Sequence, residues 1–465
     1  MELRIDRQAL VPVVQQIVDA LAGWIRQDAV EPGTRLPSVR QLARQNLLSQ
    51  SSVNEACERL VTQGLLASRH GSSFFVALPL FDLDDTCGRR RERKLQLPAH
   101  GSVEPLDAEL QLGCGGLPES WRESDDLGYA IRQVTRADMA GLFNYNAPLG
   151  LSALRQQLSR RLKQLNIEAE EDMILTTTGA THGLDLIVRT LLTPGCSVVV
   201  ESPGYPKLFE LLRLHRIEMI ELPRTARGPD IEALEALLTT HRPCAIFVNS
   251  ACHNPTGSSL APVVAQRLLQ LARRHGMRVV EDDVYADFQN ASRTRLAALD
   301  PEVIYVGSFS KTLSSSLRVG FVAAGQSVIK RLGEVKDITS LGSSRFCESV
   351  LATLLANGAY RTLVQRQRLR LNADMALALQ MLEDGDWEVF GKPAGGLFIW
   401  ARPPVRDYAE LQHRAKRSGV MLSSQTAFSP SGATTDWLRI NVAYARHPKA
   451  QAFFLASASD RPQAF

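Results

Sequence analysis

The sequence predicts two units of different class. A small helical unit closed by a β-hairpin spans residues 1–78, and a large α/β unit with a mainly parallel sheet spans 107–465. Three observations carry this reading. Apolar residues recur at helical spacing near the N-terminus; strand-sized apolar runs alternate with helical patterns from about residue 107; and residues 79–106 between them lose apolar periodicity. At 465 residues the chain is also too long for one ordinary core.

Composition narrows the function classes before any motif is read. The chain is 45% apolar and 22% charged with no biased tract, the balance of a soluble globular protein. Its longest apolar stretches are strand-sized, well short of the roughly 18 residues a membrane helix requires. The opening MELRIDRQ is charged and lacks an apolar core, unlike a secretory signal. Seven cysteines are scattered singly, with no CxxC pair and no histidine cluster at metal spacing. That pattern predicts reduced thiols in a cytoplasmic protein, with neither disulfides nor a metal. A net charge of +4, from 53 basic and 49 acidic residues, is too mild to identify a nucleic-acid partner by itself.

In the first unit, Val14, Ile17, Val18, Leu21 and Ile25 mark an amphipathic helix over about 13–27. VEPGTRLPS supplies a Pro-Gly turn and a helix start, and VRQLARQN is a short helix. LLSQSS is a tight turn, and VNEACERLVTQG is a further helix ending at Gly64. LLASRHGSSFFVA folds back around His70-Gly71 as a hairpin. Helix, helix, turn, helix, hairpin is a winged helix-turn-helix. Residues 79–106 follow as a solvated linker, with three acids and then five basic residues among the six of Arg89–Lys94.

In the second unit, DMILTTT leads into GATHGLDLIVRTLL, CSVVVES into YPKLFELLRLH, and CAIFVNS into PVVAQRLLQLARRHG. MRVVEDDVY and EVIYVGSFS follow as further strands. A large part over about 120–330 is predicted, then a smaller α+β part over about 331–465 with a long helix and the strands GGLFIWARPP and DWLRINVAYA.

Chemistry gathers in the loops after these strands, the edge of such a sheet where ligands bind and helix N-termini attract anions. Gly179-Ala180-Thr181 opens a helix after MILTTT; SFSK brings Ser308, Ser310 and Lys311 after another strand, with Arg318 seven residues beyond the lysine. HNPTG places Asn254, EDDVY places Asp282 and Tyr285, and ESPGYP places the Tyr205 ring. An amine, a carboxylate, two hydrogen-bonding groups, a phosphate cup and a stacking ring are the set that pyridoxal 5'-phosphate needs.

With these motifs the second unit, over roughly 107–460, resembles the fold-type I pyridoxal-phosphate-dependent aminotransferases. The resemblance implies that Lys311 is the Schiff-base lysine, that Asp282 pairs with the ring nitrogen, and that Asn254 and Tyr285 bind the ring oxygen. It implies that Tyr205 stacks on the ring and that Gly179, Ala180, Thr181, Ser308, Ser310 and Arg318 hold the phosphate. Tyr145, in YNAPLG, resembles the tyrosine that reaches the neighbouring subunit's phosphate, and Arg439, in DWLRINVA, resembles the arginine that grips an α-carboxylate. His182 and His253 are read as packing or hydrogen-bonding groups.

The first unit is similar to the winged helix of GntR-type regulators over nearly its whole length. Arg35, Ser38 and Arg40 are then expected at DNA phosphates, Gln50, Ser52 and Asn54 at base edges, and Arg69 and His70 on the wing tip near the minor groove. One departure stands out. Ser49-Gln50-Ser51-Ser52-Val53 occupies the place of the family's Ser-Arg-x-Thr-Val, so an arginine is missing there. Eight basic and seven acidic residues give residues 1–76 a net charge of +1, so one copy binds weakly and a homodimer compensates by avidity.

A GntR-like head on an aminotransferase-like body is the layout of the MocR regulators, which this chain resembles almost throughout. The resemblance implies a DNA-binding transcriptional regulator that senses pyridoxal phosphate, or an amine or amino acid forming an imine with it. The alternative is a working aminotransferase that carries a DNA-binding head.

Overall fold

The computed structural model describes residues 3, 5–6, 11–27, 30, 33–62, 65–69, 73–76, 110–121, 124–289, 294–393, 395–404 and 407–458. Two compact units divide it, Met1–Val103 and Glu104–Phe465. The linker expected over 79–106, Gly64 and the His70-Gly71 turn lie outside the described residues.

The first unit is built as its apolar spacing dictates. Helix α1 (Val13–Gln27) buries Ile17, Val18 and Leu21 on one stripe. Helix α2 (Val39–Gln45) starts at Ser38, whose hydroxyl accepts from the Gln41 amide at 3.2 Å. Helix α3 (Gln50–Thr62) begins one residue before Ser51, because Ser49 serves as its cap and accepts from the Ser52 amide at 3.0 Å. Val53, Ala56, Cys57 and Leu60, at helical spacing, turn its inner face to Leu42 and α1. Strands β1 (Leu66–Arg69) and β2 (Ser73–Val76) pair antiparallel, and Leu66, Phe74 and Val76 close the core.

The second unit opens with α4 (Ser124–Ala137) and α5 (Ser152–Gln164), then alternates. In order come β3 (Ile174–Thr177), α6 (Ala180–Leu191), β4 (Ser197–Ser202), α7 (Pro206–Leu214), β5 (Glu218–Thr225), β6 (Gly228–Pro229) and α8 (Ile231–Thr240). There follow β7 (Ala245–Val248), α9 (Pro262–His275), β8 (Arg278–Asp282), β9 (Ile304–Ser308) and β10 (Gly320–Ala323). The eight-stranded sheet runs β3-β10-β9-β8-β7-β4-β5-β6, with β9, β8, β7, β4 and β5 parallel. Its strands alternate between two cores. Val199, Ile246 and Val279 face α5, α8 and α9, while Val198, Val200, Phe247 and Val280 face α6 and α7. Strand β10, which sequence periodicity had not singled out, runs antiparallel to both neighbours and returns the chain after the Lys311 loop.

The C-terminal part carries α10 (Gln326–Ser340), α11 (Arg345–Ala356), α12 (Ala359–Asp384), β11 (Glu388–Val389), β12 (Phe398–Arg402), α13 (Tyr408–Arg417), β13 (Leu438–Asn441) and α14 (Pro448–Ala458). A division near residue 330 does not follow the packing. Ile329 and Leu332 of α10, and Val350, Leu351 and Leu354 of α11, are buried on the large sheet. Helix α12 bridges the two cores, with Leu363 and Val364 in the large one and Leu371, Met375, Ala378 and Leu382 in the small one. The small core also draws in Leu110, Leu112 and Trp121, from a strap far earlier in the chain. The strap is tied there by Leu110 N to Gly419 O at 2.7 Å, Gly113 N to Met421 O at 3.0 Å and Asn441 N to Leu112 O at 2.9 Å.

Candidate functional site

The parallel strands β4, β7, β8 and β9 deliver polar side chains to one edge, where a cavity of about 220 Å³ opens. Strand β9 ends at Ser308, and the turn after it carries Ser310 and Lys311 into the cavity wall. Strand β8 ends at Asp282, with Tyr285 one short turn beyond. The loops after β4 and β7 bring Tyr205 and Asn254, and the start of α6 brings Ala180 and Thr181. Arg318, past the Lys311 loop, completes this group.

Lys311 is the centre of the electrostatics. Its Nζ donates to the carbonyl of Gly115 at 2.8 Å. Burial pulls its pKa down to about 8, and the nearby Arg439 charge acts in the same direction. Asp282 is shifted the other way. Burial raises it to about 7, helped by the charges of Asp283 and Glu201 and opposed by the Val284 amide and Lys311. The Val284 amide donates to Asp282 Oδ1 at 3.2 Å. Tyr285 is 3% exposed, and burial raises its phenol above the ordinary range. Tyr205 is likewise raised by burial, although a hydrogen bond with Thr181 opposes the shift.

One residue the sequence reading missed organises this edge. Asn249, at the end of β7, donates from Nδ2 to Asp282 O at 2.6 Å and accepts at Oδ1 from the Asn254 amide at 2.9 Å. Its own amide donates to Glu201 Oε2 at 2.7 Å, and Glu201 is paired with Arg224 in a buried ion pair. Asn249 thus fixes the two strand-end residues relative to each other. A polar residue closing a buried apolar strand was the available signal. His182 and His253 take hydrogen-bonding roles. His182 Nδ1 accepts from the Thr178 amide at 3.0 Å, and His253 Nδ1 meets Thr256 Oγ1 at 2.8 Å.

The phosphate-cup candidates lie around the start of α6 and the turn after β9. Gly179 has φ +80°, and a Cβ on it would lie 2.7 Å from Arg318 Nη2. Arg318 Nη2 donates to Thr178 O at 3.2 Å, which turns its guanidinium toward the start of α6. Ser308 Oγ accepts from the Ser310 amide at 3.2 Å. Ser310 Oγ is buried with no partner among the described residues.

Arg439 reaches the site from β13 without lining the cavity itself. Its Nη1 donates to Asn254 Oδ1 at 2.7 Å and its Nη2 to Gly113 O at 2.8 Å, while the guanidinium lies 4.7 Å from the Phe398 ring centre and 4.9 Å from that of Phe428. Tyr145 is not gathered with the rest. It is 82% exposed and stands outside the cavity wall.

In the first unit Arg35, Ser38, Arg40 and Gln50 are exposed. Ser52 accepts from the Ser49 hydroxyl at 2.8 Å, and Asn54 Nδ2 donates to Glu58 Oε1 at 2.8 Å, so both side chains are held within the helix. Arg69 ends β1, and His70 lies outside the described residues. No group of three or more metal-binding side chains occurs among the described residues, and none of their helices is long and apolar enough to cross a membrane.

The aminotransferase class I and II family matches residues 110–454, and the gntR family of bacterial regulatory proteins matches residues 13–76. The chain is similar to the uncharacterized HTH-type transcriptional regulator YisV of Bacillus subtilis, 28% identical over 88% of this chain and 89% of that one. It is also similar to a 2-aminoadipate transaminase of Thermus thermophilus, 30% identical over 71% of this chain and 84% of the transaminase. Among solved structures it resembles LysN, the alpha-aminoadipate aminotransferase of Thermus thermophilus in complex with N-(5'-phosphopyridoxyl)-L-leucine. The TM-score is 0.69 at 25% identity, covering 75% of this chain and 92% of that one. With a gntR-type head ahead of a body matched over nearly all its length, the chain belongs to the class I and II aminotransferase family and, among GntR regulators, to the MocR subfamily.

Proposed function

We propose that the protein is a DNA-binding transcriptional regulator whose aminotransferase-like body holds pyridoxal phosphate and uses it to sense an amine or amino acid. The observation that carries this is the convergence of Lys311, Asp282 and Asn254 on one cavity in a chain that also has a gntR-type head. The residues fit the cofactor. A buried hydroxyl without a partner at Ser310, a glycine whose Cβ would crowd Arg318, and an amine with lowered pKa match a phosphate on one side and an aldehyde on the other.

In this reading Gly179, Ala180, Thr181, Ser308, Ser310 and Arg318 would hold the phosphate, and Tyr205 would cover one ring face. Asp282 would pair with the ring nitrogen, Asn254 and Tyr285 with the ring oxygen, and Lys311 Nζ with the aldehyde carbon. Bound there, pyridoxal phosphate supplies an electrophilic carbon conjugated to an electron sink. The protein's own part is to orient it: Asn249 ties Asp282 to Asn254, and Arg439 stands ready for a carboxylate beside them.

The reading includes a homodimer in the cytoplasm. Tyr145 and Phe143 are 82% and 86% exposed, and Leu341, which precedes the Gly342 that lies against the Asn146 carbonyl, is 55% exposed. Exposed large side chains of this kind suit a second copy, whose phosphate Tyr145 would reach. The ligand acts on transcription by binding two arrangements of the dimer unequally.

Operator binding measured with and without pyridoxal phosphate, in the wild type and in Lys311→Ala, tests this. Identical DNA affinity in all four cases removes the sensing role. The second reading, a working aminotransferase with a DNA-binding head, is favoured by the placement of Arg439 beside Asn254. Steady turnover of an amino acid with a keto acid would select it.

A further inference from the structure

Lys311 stands in a tight turn, and that turn is gripped from behind the cavity. Leu313 N donates to Phe309 O at 3.0 Å, which closes Ser310, Lys311 and Thr312 inside one turn. Both ends of the turn meet a single side chain of α12, that of Tyr360. Its ring stands edge-on to Phe309 with the ring centres 5.2 Å apart, and its hydroxyl lies 2.6 Å from Thr312 Oγ1. Phe309, Thr312 and Tyr360 are all buried, and neither Phe309 nor Tyr360 lines the cavity.

The donors and acceptors of this group can be assigned. Asp287 is paired with Arg161, so its carboxylate only accepts, and the Tyr360 phenol donates to it. Burial holds the phenol well above its ordinary range, so that proton stays in place. The phenol has no second proton, and the Thr312 hydroxyl must therefore donate to the phenol oxygen. Seven residues further along α12, Gln367 Nε2 donates to Thr312 O at 2.7 Å. One helix thus restrains the residue bonded to Lys311 at both its side chain and its carbonyl.

We infer that Tyr360 is a positioning residue for Lys311, which by bracketing the turn at Phe309 and Thr312 aims the amine at the aldehyde carbon of the cofactor. The inference rests on the reading of Lys311 as the aldehyde-binding amine. In the step concerned, the Nζ lone pair adds to the aldehyde carbon, and the two amine protons leave with the carbonyl oxygen as water. The nitrogen is left doubly bonded to that carbon. A small displacement of the turn spares the ring and phosphate contacts but spoils the approach on which this addition depends. A Tyr360 that served packing alone would instead affect every contact in the cavity together.

The test compares two forms of the cofactor on the full-length protein freed of bound cofactor. Pyridoxal 5'-phosphate carries the aldehyde, and its capture rate is read from the change in absorbance. Pyridoxamine 5'-phosphate has the same ring and phosphate without the aldehyde, and its dissociation constant is read by calorimetry. Tyr360→Phe keeps the ring against Phe309 and removes only the hydroxyl. It should slow capture about tenfold and leave pyridoxamine phosphate binding within about twofold of the wild type. The slowing should persist at pH well above 8, where the amine is already neutral and only its aim is at fault. Thr312→Val should behave like Tyr360→Phe, whereas Thr312→Ser, which keeps the donor, should capture within about twofold of the wild-type rate. Wild-type capture by Tyr360→Phe, a matching loss of pyridoxamine phosphate binding, or a Thr312→Ser as slow as Thr312→Val overturns the inference. Wild-type protein that captures no pyridoxal phosphate overturns the reading of Lys311 itself, and the inference with it.

Discussion

Lys311 Nζ and the main-chain oxygen of Gly115 are hydrogen-bonded at 2.8 Å although 196 positions separate them in the chain. The amine is enclosed, with burial first and the Arg439 charge second holding its pKa at about 8. Only the neutral amine attacks an aldehyde, so a lowered pKa makes the reactive form available at lower pH. The rate of pyridoxal phosphate capture should rise as pH is raised through about 8 and level off above it. Arg439→Gln removes a positive neighbour and should move that midpoint upward. Absorbance-monitored capture across pH checks both, and an unmoved midpoint in the variant would falsify the coupling.

Gly179→Ala addresses the phosphate side. The new Cβ would lie 2.7 Å from Arg318 Nη2, on a residue whose φ of +80° already disfavours a side chain. Displacing one charge-assisted contact should weaken pyridoxal phosphate binding by about 10- to 100-fold. Pyridoxal, which lacks the phosphate, should bind the variant and the wild type alike. Equilibrium dialysis with the two vitamers distinguishes a missing anion contact from general damage.

Asp287 governs stability behind the site. It pairs with Arg161 and accepts from the Tyr360 hydroxyl, and Tyr360 also meets Thr312 Oγ1, next to Lys311. Asp287→Ala leaves the Arg161 guanidinium without its carboxylate in a largely enclosed position. A loss of about 3 kcal/mol is expected in denaturant unfolding of the protein. Asp287→Asn, which can still accept from Tyr360, should lose less.

In the head, phosphate and base contacts separate by their salt response. Arg40→Ala should weaken binding to operator and to unrelated DNA alike. It should also reduce the salt slope by about 0.9 for each phosphate that is no longer neutralised. Gln50→Ala should weaken the operator complex alone and leave the slope unchanged. Anisotropy titrations over a range of salt concentrations give both quantities.

The elements that were legible in the sequence are those whose reason for existing is local. Ser38 and Ser49 cap helices through their own hydroxyls, and the Val- and Ile-rich runs of β4, β7 and β8 declare strands buried on both faces. The Lys311, Asp282 and Asn254 motifs were legible because each follows such a strand. What escaped depends on distant chain segments. Strand β10 is short and is defined by its antiparallel neighbours β3 and β9, and α11 reads as an ordinary amphipathic helix until the large sheet claims it. The 110–121 strap carries little periodicity and acquires its place only from residues 419–421 and Asn441. Gln367 is one polar residue among many on a 26-residue helix until Thr312 orients it.

The strap also sets terms for whatever enters. The carbonyls of Gly113 and Gly115 hold the Arg439 guanidinium and the Lys311 amine, so the protein's own backbone is the resident ligand of both groups. An incoming carboxylate and aldehyde gain only the difference between their bonds and those they displace. Because the strap is anchored along residues 110–113 to the small core, it competes at the high effective concentration of a tethered group. Occupancy therefore sets in at a higher ligand concentration than it would with the strap detached, and the bonds made by Gly113 and Gly115 fix by how much.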